Sequence, residues 1–179
     1  LKLKNSLFIG LSIGGMIAQG LAVKRLDLVR AMALSNTAAR IGNRQIWEDR
    51  ISRVKSSGMK ALTEETMKRW FSNKFVQSKE INIWKNMFER QAAEGYTGCS
   101  HAISGTDFYT PTSGLRLPTI AIAGSEDGST PPDLVRETCN LIPGSKFNLI
   151  KGVGHIPCVE APKEYAQILT DFMKELGYV

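Results

Sequence analysis

Histidine is scarce in this chain of 179 residues: only His101 and His155 are present, so any imidazole chemistry has two candidates. Cysteine is scarce too. Cys99, Cys139 and Cys158 show no C-x-x-C pair and no Cys/His zinc spacing, which excludes a disulfide scaffold and a structural zinc site. Free thiols in a reducing, cytoplasmic setting are expected. Internal repeats and low-complexity tracts are absent, which excludes solenoids and interaction tails. A long lipid-compatible run is also lacking. Lys2 and Lys4 precede the uncharged stretch from Leu7 to Val23, which imitates a signal peptide or a short span, and Gly10 to Gly14 forms a G-x-x-x-G. A span wants about 20 apolar residues, and Ser12, Gln19, Gly10, Gly14, Gly15 and Gly20 suit a lipid helix poorly. No membrane partner is expected. With no initiator Met and a start in mid-pattern, the chain is expected to be truncated at its amino terminus.

What is present describes one soluble domain with enough apolar residues for a core, 42% hydrophobic and 22% charged. The net charge of +6 is uneven: residues 24 to 90 hold 15 Lys/Arg against 7 Asp/Glu, and the remainder is net negative. Such a basic region raises nucleic-acid binding as a reading. Here the cations are spread singly among apolar helical positions, without Arg-rich runs, zinc fingers or an RNA-binding aromatic signature. A solvated helical face that draws in small anions is expected, and no nucleic acid.

Along the chain, Ser6 to Gly10 reads as a buried strand, followed by a tight turn and a helix from Ile13 to Val23 with Ile13, Ile17 and Leu21 on one face. Ala31 to Ser35 reads as a second strand. Four amphipathic helices follow, carried by Trp47, Ile51 and Val54; by Thr63 as N-cap ahead of Met67, Trp70 and Phe71; by Ile81, Trp84 and Phe88; and by Tyr96, Cys99 and Ile103. Pro118 to Gly124 and Ser145 to Lys151 read as strands, separated by a helix from Thr130 to about Leu141. A last helix from Pro162 is expected to bury Tyr165, Ile168, Leu169, Phe172 and Leu176. This alternation predicts an α/β fold, a mostly parallel sheet covered on both faces, with core at 1–42 and 110–179 and a helical cap at 43–109.

Gly10-Leu11-Ser12-Ile13-Gly14 is a G-x-S-x-G between a strand and a helix. At that turn the serine is strained and exposed above the sheet, glycine is expected at both flanks, and the Ile13 amide can donate to an oxyanion. A serine hydroxyl needs a base within hydrogen-bond reach and an acid to orient that base. His155, in Gly152-Val153-Gly154-His155, follows a strand and is the expected base; His101 lies within an amphipathic helix and reads as a surface residue. The order Ser, acid, His points to Asp127. Glu126 competes, but the short Asp127 side chain followed by Gly128 suits a loop end better.

These residues, with Phe8 to Ala22, Leu34 to Gly42 (LSNTAARIG), Arg69-Trp70-Phe71, Glu94 to Cys99 and Ala123 to Pro131, make the chain resemble the 3-oxoadipate enol-lactone hydrolases of the α/β-hydrolase fold. The resemblance implies a cofactor-free, metal-independent enzyme of aromatic-compound breakdown, in the β-ketoadipate pathway. Ser12 would attack the lactone carbonyl, His155 would shuttle the proton and Asp127 would fix the imidazole. A carboxylate-bearing substrate is also implied, with Arg40, Arg44 and Trp47 as candidate contacts. The family begins with further strands, about 80 residues, whose third loop supplies a second oxyanion donor. Without them the chain alone is expected to be inactive or unstable. A broader carboxylesterase or perhydrolase-like relative, and a non-catalytic ligand-binding relative, are the alternatives.

Overall fold

The computed structural model describes residues 3–179; Lys2, part of the basic lead-in noted above, lies outside them. The described residues build a four-stranded, all-parallel sheet in the order β1 (Ser6–Leu11), β2 (Val29–Ser35), β3 (Thr119–Gly124), β4 (Lys146–Ile150). Helix α1 (Ile13–Lys24) joins β1 to β2 and α8 (Pro132–Asn140) joins β3 to β4. Between β2 and β3 lies a helical insertion: α2 (Arg44–Ser57), a 3-10 turn (Met59–Leu62), α3 (Thr63–Trp70), α4 (Asn73–Val76), α5 (Ile81–Glu89), α6 (Ala93–Ser104) and α7 (Tyr109–Ser113). The short α9 (Pro157–Glu160) and α10 (Pro162–Glu175) complete the chain.

Strand period two explains the layering. Met32 and Leu34 of β2 pack with Ala18 and Ala22 of α1 on one face, whereas Ala31 and Ala33, with Ile120 and Ile122 of β3, pack on Tyr165 and Phe172 of α10 on the other. Both faces are therefore covered, as apolar parallel strands require. The insertion has a core of its own, with Val54, Leu62, Met67, Phe71 and Phe88 nearly inaccessible.

Several expectations are corrected. On α1 the buried residues are Gly15, Met16, Ala18, Gln19 and Ala22; of the face formed by Ile13, Ile17 and Leu21, Leu21 packs partly buried on the core and Ile17 is 52% exposed. Small residues let this helix lie close to its neighbours, and the Gln19 amide is satisfied by the carbonyls of Gly15 and Ala38 and by the Thr112 hydroxyl. Thr63 does not cap α3; it is the first residue of that helix and donates to Glu89. The predicted helix start at Thr130 shifts to Pro132, because Thr130 is drawn into the acid loop. α4, α7 and α9 have four or five residues each, too few to leave a periodic signal. Among the described residues, no helix is long and apolar enough to cross a membrane.

Candidate active site

Because all four strands run parallel, their carboxyl ends share one edge, where ligands bind in open α/β sheets. Ser12 follows β1, Asn36 follows β2, Asp127 lies three residues beyond β3 and His155 five beyond β4.

Ser12 holds φ 55° and ψ −120°, a positive φ that costs a non-glycine residue about 1–3 kcal/mol. The turn is over-determined. The Ser12 amide donates to Ser35 O at 3.0 Å, and its carbonyl accepts from Gly15 N and, at 2.6 Å, from Thr37 Oγ1. A Cβ on Gly10 would sit 2.2 Å from Gly14 O, so glycine is obligatory there. Gly14 is different: a Cβ would meet nothing within 4 Å, whereas one on Gly15 would strike Thr37 at 2.3 Å. The second required glycine is thus Gly15 and not the expected Gly14. Gly14→Ala is expected to stabilise the fold by up to about 1 kcal/mol, and Gly10→Ala to destabilise it by about 2 kcal/mol or more, in urea unfolding. Equal effects would contradict this account of the turn. Ile13 begins α1, so its amide belongs to the first-turn donors that lack an intrahelical partner, and the residue lines the same cavity as Ser12.

His155 Nδ1 lies 2.8 Å from Asp127 Oδ2, with both residues buried. Asp127 Oδ1 accepts from the amides of Ser129 and Thr130, while Oδ2 also accepts from Thr130 Oγ1 at 2.8 Å and Asn36 Nδ2 at 2.9 Å. Burial by itself would push the Asp127 carboxyl up. The hydrogen bond and charge of His155, the Asn36 amide and the Thr130 amide outweigh it and hold the group below the usual aspartate value. A depressed folded pKa adds stability that is fully present above about pH 3.9, the unfolded value, and is lost as pH falls through the folded one. Asp127→Asn should therefore lose stability less steeply than wild type as pH drops below about 4, measured as urea midpoints against pH. Parallel curves would refute the linkage. Glu126, the competing acid, accepts instead from the amide of Asn73, and His101 is exposed on α6.

The histidine loop reaches back over the sheet. A Cβ on Gly124 would lie 2.0 Å from Gly154 O, so the loop crosses the end of β3 at a glycine. The insertion grips both loops from the other side: Arg69 O accepts from Gly128 N and Trp70 O from His155 N at 2.8 Å. Glu160 accepts from Gly154 N and from the amide and hydroxyl of Ser72, tying the histidine loop to the insertion a second time.

Ser12, Ile13 and His155 face one cavity of about 490 Å³ between sheet edge and insertion, within the usual range for small-molecule sites. Its apolar wall includes Ile41, Trp47, Trp70 and Ile103. The structure does not bring Arg40 or Arg44 to it. Arg40 pairs with Asp107 at 3.7 Å and Arg44 with Glu48 at 2.6 Å on an outward turn of α2. Trp47 does line the cavity, its Nε1 donating to Ile41 O. The cations that reach the cavity are Arg50 and Arg69. Arg50, further along α2 than Arg44, stacks 4.8 Å from the Trp47 ring centroid. Arg69 donates to Thr66 Oγ1, and its buried Nε has no hydrogen-bond partner among the described residues; Glu65, engaged by Arg53 at 2.7 Å, remains 3.7 Å away. Burial lowers both guanidiniums from the usual arginine value, and for Arg69 the charge of Arg50 adds to the effect. In the sequence Arg50 stood out only as a member of the basic region, and Arg69 only there and in the Arg69-Trp70-Phe71 segment of the resemblance; neither was expected at the substrate.

Among the described residues, no group of three or more His, Cys, Asp or Glu is placed to hold a metal ion. No protein-family model matches the chain. Compared with known proteins, it is 27% identical to 3-oxoadipate enol-lactonase 2 of Acinetobacter baylyi over 99% of this chain and 67% of that protein. The crystal structure of an enol-lactonase from Burkholderia xenovorans superposes with a TM-score of 0.91 at 29% identity, covering 97% of this chain and 67% of that one. A thermophilic esterase from Thermogutta terrifontis, studied with malate bound, gives 0.88 at 25%, covering 96% and 65%. The chain thus spans about two thirds of the length of these relatives. It has the α/β-hydrolase fold and, over nearly its whole length, is similar to 3-oxoadipate enol-lactonases.

Proposed function

We propose that this chain carries the catalytic centre of a serine-dependent hydrolase for a small, carboxylate-bearing lactone, with 3-oxoadipate enol-lactone opening to 3-oxoadipate as the reaction. The observation that carries the reading is the 2.8 Å approach of His155 Nδ1 to Asp127, beside a strained Ser12 facing the same cavity. In this reading His155 Nε2 takes the proton of Ser12 as Oγ bonds to the lactone carbonyl carbon. The Ile13 amide donates to the resulting oxyanion. Collapse expels the enol oxygen, which takes the proton from the His155 imidazolium and stays tethered to the acyl chain. Water, deprotonated by the same imidazole, then releases the acid and restores Ser12.

The substrate's free carboxylate is assigned to Arg50 and Arg69. Three guanidiniums, those of Arg50, Arg53 and Arg69, stand around the single carboxylate of Glu65 at this wall, and Arg69 Nε lacks an acceptor among the described residues. An anion there would satisfy a buried donor and relieve repulsion between like charges. Malate in the related esterase is a small dicarboxylate, in keeping with such a ligand. The helices of residues 43–109 act as a cap that closes the cavity.

A broader carboxylesterase is the second reading, favoured by the apolar remainder of the cavity wall. Turnover separates the two. The lactonase reading expects kcat/KM for the enol-lactone to exceed that for a neutral p-nitrophenyl ester by about 10²-fold or more, because a neutral ester leaves the half-buried arginines without an anionic partner. A preference for the neutral ester would move the protein to the carboxylesterases.

A further inference from the structure

Asn36 is the residue at the sheet edge that no part of the proposed chemistry uses. It is fully buried, sits at the end of β2, and adopts a positive φ of 45°. Its backbone amide donates to Ile122 O on β3, and its side-chain Oδ1 accepts from the Ser35 hydroxyl. Nδ2 then faces two acceptors, Asp127 Oδ2 at 2.9 Å and Gly154 O at 3.2 Å. The reversed amide would set an oxygen against both, so the network dictates its orientation. Both N–H bonds are used. One fixes the oxygen that receives His155 Nδ1, and the other fixes the peptide just before His155.

We propose that Asn36 is a positioning residue that holds the acid loop and the histidine loop in register, and that its hydrogen bond to Asp127 Oδ2 tempers the basicity of the Asp127–His155 pair. This rests on the proposed reading for its catalytic meaning, though not for the geometry. Asp127 Oδ2 shares its charge among three donors, Asn36 Nδ2, Thr130 Oγ1 and His155 Nδ1. Withdrawing one donor leaves more charge for the imidazolium, which favours its protonated form. The other ionisable groups that line the cavity with the imidazole are Arg50 of α2, Arg69 of α3, and Tyr96 and Cys99 of α6, with Glu160 of α9 at the adjoining Gly154 amide. Asn36 touches none of their side chains in the hydrogen-bond network; its side chain meets Ser35, Asp127 and Gly154, and of these Asp127 and Gly154 adjoin His155.

The test compares wild type with Asn36→Ala and the isosteric Asn36→Asp. Two readings are taken on folded protein: the pH profile of kcat/KM on a p-nitrophenyl ester, and the NMR titration of the His155 imidazole in the same samples. For Asn36→Ala the acid limb and the NMR midpoint are expected to move up by about half a unit, with kcat down about tenfold. For Asn36→Asp, which sets a second carboxylate against Asp127, the upward shift should exceed about one unit. A residue with only a structural role would lower the unfolding temperature and leave both midpoints where they are. Unmoved or downward midpoints in both variants would overturn the proposal. If the wild-type full-length protein hydrolyses no ester at all, the proposed function fails while the NMR midpoints still decide the role of Asn36.

Discussion

Ser12→Ala is expected to lower kcat by about 10⁴-fold or more in an active preparation of the protein, and His155→Ala by a similar amount. In the proposed mechanism the two side chains act as one unit. An alcohol near neutrality is a poor nucleophile, and only removal of its proton during bond formation makes attack on an acyl carbon competitive. Deleting either partner leaves the other without a task, so the double variant should be hardly slower than each single one. The surroundings of Ser12 support the assignment. The backbone there is held in a strained conformation by Thr37, Ser35 and the glycine at position 10, and such strain persists where neighbouring structure enforces it. Steady-state rates that fall by less than about tenfold in either variant would remove the nucleophilic mechanism.

The second large effect concerns Arg50 and Arg69. Replacing either by Met is expected to cut kcat/KM for an ester or lactone bearing a free carboxylate by about 10²-fold, while a neutral ester loses less than about threefold. A buried anion deprived of its partner is penalised far more than a solvent-exposed one, and the lining of this cavity is otherwise mostly apolar. Arg69 has an added reason to matter. Its carbonyl accepts from Gly128 N beside Asp127, so the backbone that bears this side chain is tied to the acid loop, and its guanidinium donates to Thr66. Equal losses on both substrate types would show that the arginines support the cap and do not select charge.

Much of this arrangement was legible in the sequence where chemistry and local structure coincide. A serine between an apolar strand and a glycine-rich helix start, an Asp after a strand and a His after the next all lie on loops whose positions follow from strand order. Long-range packing was less legible. The spacing of Ile13, Ile17 and Leu21 marked one face of the helix, but not that α1 buries Gly15, Ala18 and Ala22, where close approach favours small side chains over large ones. Likewise the glycine pattern pointed to Gly14, but the crowding arises from Thr37, a residue distant in sequence. The basic region signalled an anion without telling which cations would turn inward. Arg40 and Arg44 found carboxylates on the outside, in Asp107 and Glu48, whereas Arg50 and Arg69 were left facing the cavity. Asn36 gave no signal of its own, since a buried carboxamide is recognised only by the partners that folding brings to it.

The measurement that bears most directly on the central claim is covalent labelling by a fluorophosphonate, read by mass spectrometry of the intact chain and its peptides. One adduct per chain is expected, on the peptide containing Ser12, slowed by at least about 10³-fold in His155→Ala. Labelling on a different residue, or labelling of Ser12 that proceeds equally fast without the imidazole, would contradict the account.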